Sequence, residues 1–458
     1  MFPEALEDLI EAESPVRVID AFVGSLDVVS LGFEKAIAAE TGRPGYDPAD
    51  LLKLYVYGYL NRVRSSRALE RETRRNVEVM WLLNRLAPDF KTISDFRKDN
   101  APALVGACRA FIGFCREQDL FGAELVAIDG SKFQAVASRR QVWTPKRLAQ
   151  VEAAIEARVR EYLTALDSAD TAEASTTAGD TAAALTRLRE ERTRLQALAQ
   201  QMKSEQAAQL VATEPEARLM RTAKQGFQVC YNVQSAVDAK HALIAAFDVT
   251  HEGNDHQQLL PMAKRAKEEL KAKALTVVAD TGYRNGEQGA KCQDLGITAI
   301  VPAPTVVNPK GKDKFFAKTA FKYGPANDTY RCPADQVLRR YKTDQKNKTH
   351  YYTTHACRDC GMRAQCTNAK ARSIARSFFE EWVERLDQRA KAAPELVKRR
   401  HAIAEHPFAG LKFLFGQPRF LVRGLKKVKA EIALGVLGYN LKRVINLRGT
   451  ASLMACWA

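Results

Sequence analysis

Two short apolar runs in this chain end the same way. Leu125-Val-Ala-Ile-Asp129-Gly and Leu275-Thr-Val-Val-Ala-Asp280-Thr-Gly each read as a buried strand that delivers a carboxylate at its C-terminal end. In α/β folds that end of a sheet is where ligands and metals bind. If the two strands are neighbours, their acids share one edge. Two carboxylates held together repel, and a divalent cation relieves the repulsion. Mg²⁺ takes oxygen ligands and keeps water positions open, which suits phosphate chemistry. The competing reading is that both acids merely end strands and cap turns, since Asp before Gly is a common turn pair.

The surrounding pattern fits a mixed α/β chain. Residues 1–120 read as helical, with Asp47-Pro48 as cap and first helical residue of an apolar segment. A cap and helix start are expected at Thr92-Ile-Ser-Asp-Phe-Arg, and a further helix over residues 101–117. Residues 145–212 are rich in Ala, Glu, Arg, Gln and Leu and predict two antiparallel helices, joined by a loop over residues 168–181 that lacks apolar anchors. Strands follow at residues 228–238 and 242–250, joined by a hairpin connection at Asp238-Ala-Lys-His. Helices are expected at 257–273 and 286–294, with a strand beginning at Ile297. Residues 305–375 break this pattern with Lys, Tyr, Thr and Cys. Residues 398–448 read as helical and carry twelve Lys or Arg against two Glu.

The 458 residues allow two to four domains. The 46% hydrophobic and 27% charged content excludes wholesale disorder, and the net charge of +16 favours a polyanion partner. One of the longest uncharged runs, residues 295–309, is too short and proline-broken to span a membrane, and the acidic start does not resemble a secretory signal. Nine cysteines, several isolated in apolar surroundings, suit a reducing cytoplasm better than a disulfide scaffold.

A third acid is needed to hold two metals. Candidates are Glu380, Glu381, Glu384, Glu405 and Glu431. Glu405 and Lys412 lie seven residues apart, two helical turns, and so share a face. A carboxylate there could hold metal while Lys412 meets a phosphate. Pro407 is expected in the first turn of that helix. The plainer alternative is a surface Glu and Lys on an amphipathic helix.

The chain resembles the DDE transposases of bacterial insertion sequences, in the subgroup with a helical N-terminal domain and a cysteine-bearing insertion. The stretches that carry the likeness are Tyr46-Asp-Pro-Ala-Asp-Leu-Leu-Lys-Leu-Tyr-Val-Tyr-Gly-Tyr, Phe90-Lys-Thr-Ile-Ser-Asp-Phe-Arg, Ala127-Ile-Asp-Gly-Ser-Lys, Ala279-Asp-Thr-Gly-Tyr, Glu405-His-Pro-Phe, Arg423-Gly-Leu-Lys-Lys-Val-Lys-Ala-Glu-Ile and Tyr439-Asn-Leu-Lys-Arg. The resemblance implies an RNase H-like catalytic core over residues 121–304 and 376–450, with Asp129, Asp280 and Glu405 as its metal-binding triad and Glu431 as the reserve third acid. Residues 1–120 would be a helical domain for DNA binding or dimerisation, 145–212 a helical-hairpin insertion, and 305–375 a small Cys-rich insertion. The two insertions account for the long gaps between the acids. Where the family motif has Gly after Phe408, this chain has Ala409.

The implied activity is metal-dependent cleavage of transposon ends and strand transfer into target DNA, by in-line displacement at phosphorus with two Mg²⁺, Mn²⁺ substituting. Partners would be double-stranded DNA, as terminal inverted repeats and as target, and further copies of the chain, a dimer or larger, in the synaptic complex. The location would be the bacterial cytoplasm, at the nucleoid. Lys412, Arg423, Lys426, Lys427 and Lys429 would contact the DNA backbone. Arg62, Arg64, Arg67, Arg71, Arg74 and Arg75 would serve the terminal repeats, although a solvated charged helix face is the alternative for both sets. A metal-dependent nuclease of the same fold without strand transfer shares the same acids. A non-catalytic transposon-derived DNA-binding protein would be expected to have lost them.

Cys357-Arg-Asp-Cys360, with Cys366 six residues on and Cys332 twenty-five before, forms a candidate structural Zn²⁺ site, His355 being a substitute ligand. The irregular spacing leaves reduced, metal-free cysteines or a redox dithiol open. His251 and His256 read as part of a strand-to-helix loop, with Asn254 or Asp255 capping the helix that follows.

Overall fold

The computed structural model describes residues 5–37, 45–170, 178–222, 225–304 and 315–457. In chain order the helices and strands begin with α1 (Pro15–Gly24), α2 (Pro48–Leu60), α3 (Ser66–Arg75), α4 (Val77–Leu82), α5 (Phe90–Asp99) and α6 (Ala101–Glu117). Then come β1 (Leu125–Gln134), β2 (Val142–Trp143), α7 (Pro145–Asp170), α8 (Ala178–Ser204), β3 (Leu210–Val211), β4 (Arg218–Thr222), β5 (Gly226–Asp238), β6 (Ile244–Thr250), α9 (Leu259–Leu270), β7 (Leu275–Ala279), α10 (Gly286–Asp294) and β8 (Ile297–Ile300). The rest is β9 (Lys322–Gly324), β10 (Thr329–Arg331), β11 (Val337–Asp344), β12 (Thr349–Thr353), β13 (Ile374–Ser377), α11 (Glu380–Ala392), α12 (Pro394–Phe415), α13 (Leu425–Arg448) and α14 (Thr450–Met454). This is a mixed α/β protein. The middle of the loop expected at 168–181, residues 171–177, and the first ten residues of the Cys-rich segment, 305–314, lie outside the described residues.

The chain divides into two compact units, the first comprising residues 1–122, 129–254 and 403–458, the second 123–128 and 255–402. In the first unit α2 begins as the sequence predicts: the Asp47 side chain accepts from the Ala49 amide and Pro48 opens the helix. The start expected at Thr92 falls earlier. Asp89 accepts from the Lys91 and Thr92 amides, so α5 begins at Phe90. The burial of α13 is the less obvious feature. Its basic residues sit at its two ends, while every residue from Ala430 to Leu441 is buried. It packs against α2, α6 and β6. Asn440 fixes it to β6, donating to the Ile244 carbonyl and accepting from the Ile244 amide, both at 2.9 Å. Two glycines make room along this helix and its neighbour. A Cβ at Gly435 would meet the Phe415 ring at 2.5 Å, and one at Gly410 the Tyr439 ring at 2.7 Å.

Helices α7 and α8 pair with one another, and Leu148, Ile155, Leu195, Met202 and Leu210 bury between and beside them. The short β2–β3 pair closes the base of the hairpin. Strand β5 pairs antiparallel with β4 and with β6, as a polar and apolar meander does.

In the second unit the opening residues of β1 pair in parallel with β7, and β7 in parallel with β8. Helices α9 and α10 make the crossovers. The residue before α9 is Gln258, and it offers no side-chain cap. The segment that breaks the sequence pattern is an antiparallel sheet in the order β13-β12-β11-β10-β9, closed over Phe321, Tyr330, Leu338, Tyr352 and Ile374.

Two substitutions test the packing of α13. Glu431 is fully buried and pairs with Arg64 at 3.1 Å. Glu431→Ala leaves a buried guanidinium without its partner and is expected to cost about 3–5 kcal/mol in urea unfolding. Gly435→Ala, overpacking against Phe415, is expected to cost about 1–3 kcal/mol. Losses under about 0.5 kcal/mol in both would contradict this packing.

Candidate active site

Strand β7 is apolar because both its faces are covered: Leu275, Val277, Val278 and Ala279 are buried. Asp280 follows and leaves the strand. Its carboxylate accepts from the Gly282 amide at 2.8 Å and caps a single turn over Thr281–Tyr283. The same turn draws in a second acid. A Cβ built on Gly282 would stand 3.0 Å from the Asp280 Oδ1 and 3.9 Å from the Asp255 Cβ. Sequence reasoning gave Asp255 only a helix cap. Nothing local distinguishes it, because a fold contact and not a motif sets it beside Asp280.

Asp129 corrects one expectation. The run at 125–129 does not end in a turn at Asp129-Gly130. Strand β1 continues to Gln134, and Asp129 sits within it, half-buried, its Oδ1 accepting from the Gly130 amide at 2.8 Å. The strand persists because its later residues find partners: the Gln134 amide donates to the Pro418 carbonyl at 2.7 Å, and just past the strand end the Ala135 amide donates to Val229 at 2.8 Å. Its earlier residues pair with β7 in the register Ile128↔Ala279.

Glu405 is exposed and lies in the middle of α12, not near its start. The expectation for Pro407 is therefore wrong. Pro394 occupies the first turn, and Pro407 is interior and buried. It has no N–H to give the Ile403 carbonyl, yet α12 runs on to Phe415. Lys412, partly buried, stays two turns along the same helix. His406 donates to or accepts from the Tyr439 hydroxyl at 3.0 Å, and burial followed by the nearby Arg443 holds its pKa below the usual imidazole value.

The expected DNA-contacting cations separate into two kinds. Arg62 and Arg67 are exposed, each over an aromatic ring: Phe413 at 4.4 Å and Phe90 at 5.1 Å. Arg423 and Lys426 are exposed, and Lys427 is partly so. Arg64 is not available for such contacts. Its side chain is 10% exposed, stacks 4.4 Å over Phe415, and donates to Glu431 and to the Arg419 carbonyl. Its partner Glu431 also accepts from the Leu421 and Val422 amides. The same contacts take Glu431 out of reach as the reserve third acid. Lys429 pairs with Asp248 at 2.7 Å, and Arg74 and Arg75 with Glu70 and Glu72 on their own helix.

Cys332, Cys357, Cys360 and Cys366 line one small cavity together with Phe321, Leu338 and Arg372. All four are free thiols, and the Gln336 amide points at the Cys332 sulfur at 3.4 Å. Among the described residues, however, no three His, Cys, Asp or Glu side chains are gathered into a group that could hold a metal ion. His251 and His256 lie in the β6–α9 loop, as the sequence predicts.

Comparison with known proteins adds the family. Residues 4–99 match a transposase domain (DUF772), and residues 331–445 match a transposase DDE domain. The two matches leave residues 100–330, with Asp129 and Asp280, unmatched, and they include Glu405. No curated protein sequence matches the chain. One solved structure, "Cryo-EM structure of piggyBac transposase synaptic complex with hairpin DNA", aligns with 97% of this chain and 79% of its own at 8% identity and a TM-score of 0.36, a likeness that defines neither a shared fold nor a shared site. The two domain matches define the class, and they stand in the order the sequence motifs predict. Together they support a DDE-type transposase of the insertion-sequence kind. Among the described residues no helix is long and apolar enough to cross a membrane.

Thiol chemistry tests this description. Cys108, Cys115, Cys230 and Cys292 are buried, and burial pushes the Cys230 and Cys292 thiols up to about 12 and Cys115 higher still. Five thiols, Cys332, Cys357, Cys360, Cys366 and Cys456, should therefore react with Ellman's reagent in native metal-free protein, and all nine after denaturation. Added Zn²⁺ that silences four of the five would show that the cavity closes on metal. Five reactive thiols with or without Zn²⁺ would remove the zinc site.

Proposed function

We propose that this chain is a DNA transposase that cuts transposon ends and joins them to target DNA by in-line displacement at phosphorus. In this reading Asp129, Asp280 and Glu405 are the catalytic carboxylates of an RNase H-like core. The observation that carries it is the register of β1 and β7: Ile128 and Ala279 are paired residues of parallel strands, and an aspartate follows each. The match of residues 331–445 to a transposase DDE domain supports Glu405 as the third acid.

Three carboxylates are the oxygen donor set that Mg²⁺ takes, with Mn²⁺ able to replace it. Bound there, the metal would supply Lewis acidity toward the attacking and leaving oxygens. The chain's own residues do the rest. In this reaction the attacking oxygen belongs to water or to a DNA 3′-hydroxyl and the leaving oxygen to the cut strand, so no covalent protein–DNA intermediate is required. Lys412, two turns from Glu405, meets a phosphate beside the scissile bond. Arg423, Lys426 and Lys427, with Arg62 and Arg67, hold the duplex backbone, which makes binding fall steeply with salt. The partners are double-stranded DNA and, at synapsis of two ends, a second copy of the chain.

The test is nicking of a supercoiled plasmid carrying the native flanks of the coding sequence, in Mg²⁺, Mn²⁺ or EDTA. Asp129→Asn, Asp280→Asn and Glu405→Gln are each expected to lower cutting on the order of a thousandfold while leaving DNA binding within about twofold. Cutting by Asp129→Asn at the wild-type rate would sink the triad. Nicks without joined products would reduce the activity to a nuclease, and binding without cutting in any metal would leave a non-catalytic DNA-binding protein.

A further inference from the structure

The sheet of β9–β13 has one face closed over its own core and one face open. Cross-strand register sorts its residues. Arg340, Tyr352 and Ile374 stand in one row, and Tyr352 and Ile374 belong to the core. Lys342, Tyr351 and Ala375 stand in the next row and so point to the other side, as does Arg339 opposite Thr353. A bulge between Arg340 and Lys342 displaces Tyr341. Its ring is 57% exposed, lies 6.4 Å from the Tyr351 ring, and its hydroxyl meets the Ser373 hydroxyl at 3.3 Å. The Lys342 ammonium sits 5.7 Å from the Tyr351 ring. The open face therefore alternates cations with aromatic rings.

Charge selects its partner. Residues 315–377 contain thirteen Lys or Arg and four Asp or Glu. One of the four acids, Asp344, stands on the open side at the turn end of β11, in the row with Thr349 and Ser377. Asp328 accepts the Tyr323 and Tyr352 hydroxyls, Asp335 pairs with Arg331, Asp344 accepts from the Asn347 amide in the β11–β12 turn, and Asp359 lies between Cys357 and Cys360. An apolar partner would find exposed cations unpaired, and an acidic protein would have no use for the paired rings. A nucleic-acid strand satisfies both, with phosphates on Arg339 and Lys342 and bases against Tyr341 and Tyr351.

We propose that the β11–β12 face, through Arg339, Tyr341, Lys342 and Tyr351, binds an unpaired strand of DNA. The proposal rests on the transposase reading given above for its choice of DNA, and it assigns a second contact surface on an element that carries none of the three acids.

The experiment uses the full-length chain and fluorescent DNA from the native flanks, once as duplex and once with a ten-nucleotide unpaired extension. Binding is measured across a salt series. Arg339→Gln with Lys342→Gln is expected to lower the slope of log affinity against log salt by about two on the extended DNA. Tyr341→Ala with Tyr351→Ala is expected to weaken the extended DNA about tenfold and the duplex less than twofold, and Tyr341→Phe with Tyr351→Phe to retain binding. Unchanged ellipticity and the same five reactive thiols establish that each variant is folded. Wild-type binding with no change in either pair of variants overturns this surface and leaves the transposase reading intact. Equal losses on duplex and extended DNA overturn the preference for an unpaired strand. Failure of the wild type to bind either DNA overturns both readings.

Discussion

Glu431 has no exposed surface, and the fold of the first unit surrounds its carboxylate with a cation and hydrogen-bond donors. A buried carboxylate is tolerated only with a cation and hydrogen bonds that replace water. Arg64 supplies the cation from the turn after α2, and the Leu421 and Val422 amides supply hydrogen bonds from the segment after α12. The turn after α2, 367 residues away in sequence, and the segment just before α13 are thereby tied at one point on α13. The guanidinium lies over Phe415, which meets Tyr59, Phe133 and Phe420 edge-on. Phe133 belongs to β1, four residues after Asp129, and Phe415 to α12, ten residues after Glu405. The same aromatic contact thus fixes the strand that carries one candidate acid and the helix that carries another.

That dependence explains the division of labour among the basic residues. A net charge of +16 invites the assignment of every arginine cluster to DNA. Arg64 is instead part of the core, Lys429 is spent on Asp248, and Arg74 and Arg75 are answered by glutamates a helical turn away. Among the cations expected at DNA, Arg62, Arg67, Arg71, Arg423 and Lys426 are exposed, where a polyanion could reach them.

The apolar strand segments leading to Asp129 and Asp280, the two long helices of 145–212 and the helical beginning and end of the chain were all legible, because apolar period and composition are local signals. The misses have a common cause in tertiary contacts. Asp129-Gly130 looks like a turn, but backbone partners at Pro418 and Val229 carry the chain past it as strand. Pro407 looks like a helix start, but packing of Ile403, Phe408 and Leu411 sustains the helix through it. Glu431 reads as a surface acid on a basic helix until its burial is seen. The β9–β13 sheet was hidden because its strands are short and their exposed positions polar or aromatic. Of the candidate site, the placement of Asp280 just past its strand could be read from sequence, whereas the interior positions of Asp129 in β1 and Glu405 in α12, and Asp255 beside Asp280, could not, since only the folded chain sets them there.

The proposed activity needs three carboxylates from distant parts of the chain to act on one metal centre. Fe²⁺ can replace Mg²⁺ at an oxygen site, and with ascorbate and peroxide it cuts the polypeptide where it is bound. Mass spectrometry of the fragments would then read the site directly. The account predicts three simultaneous cut regions, around residues 129, 280 and 405, all suppressed by excess Mg²⁺. Cuts confined to the cysteine cavity, or to one of the three acids, would contradict it.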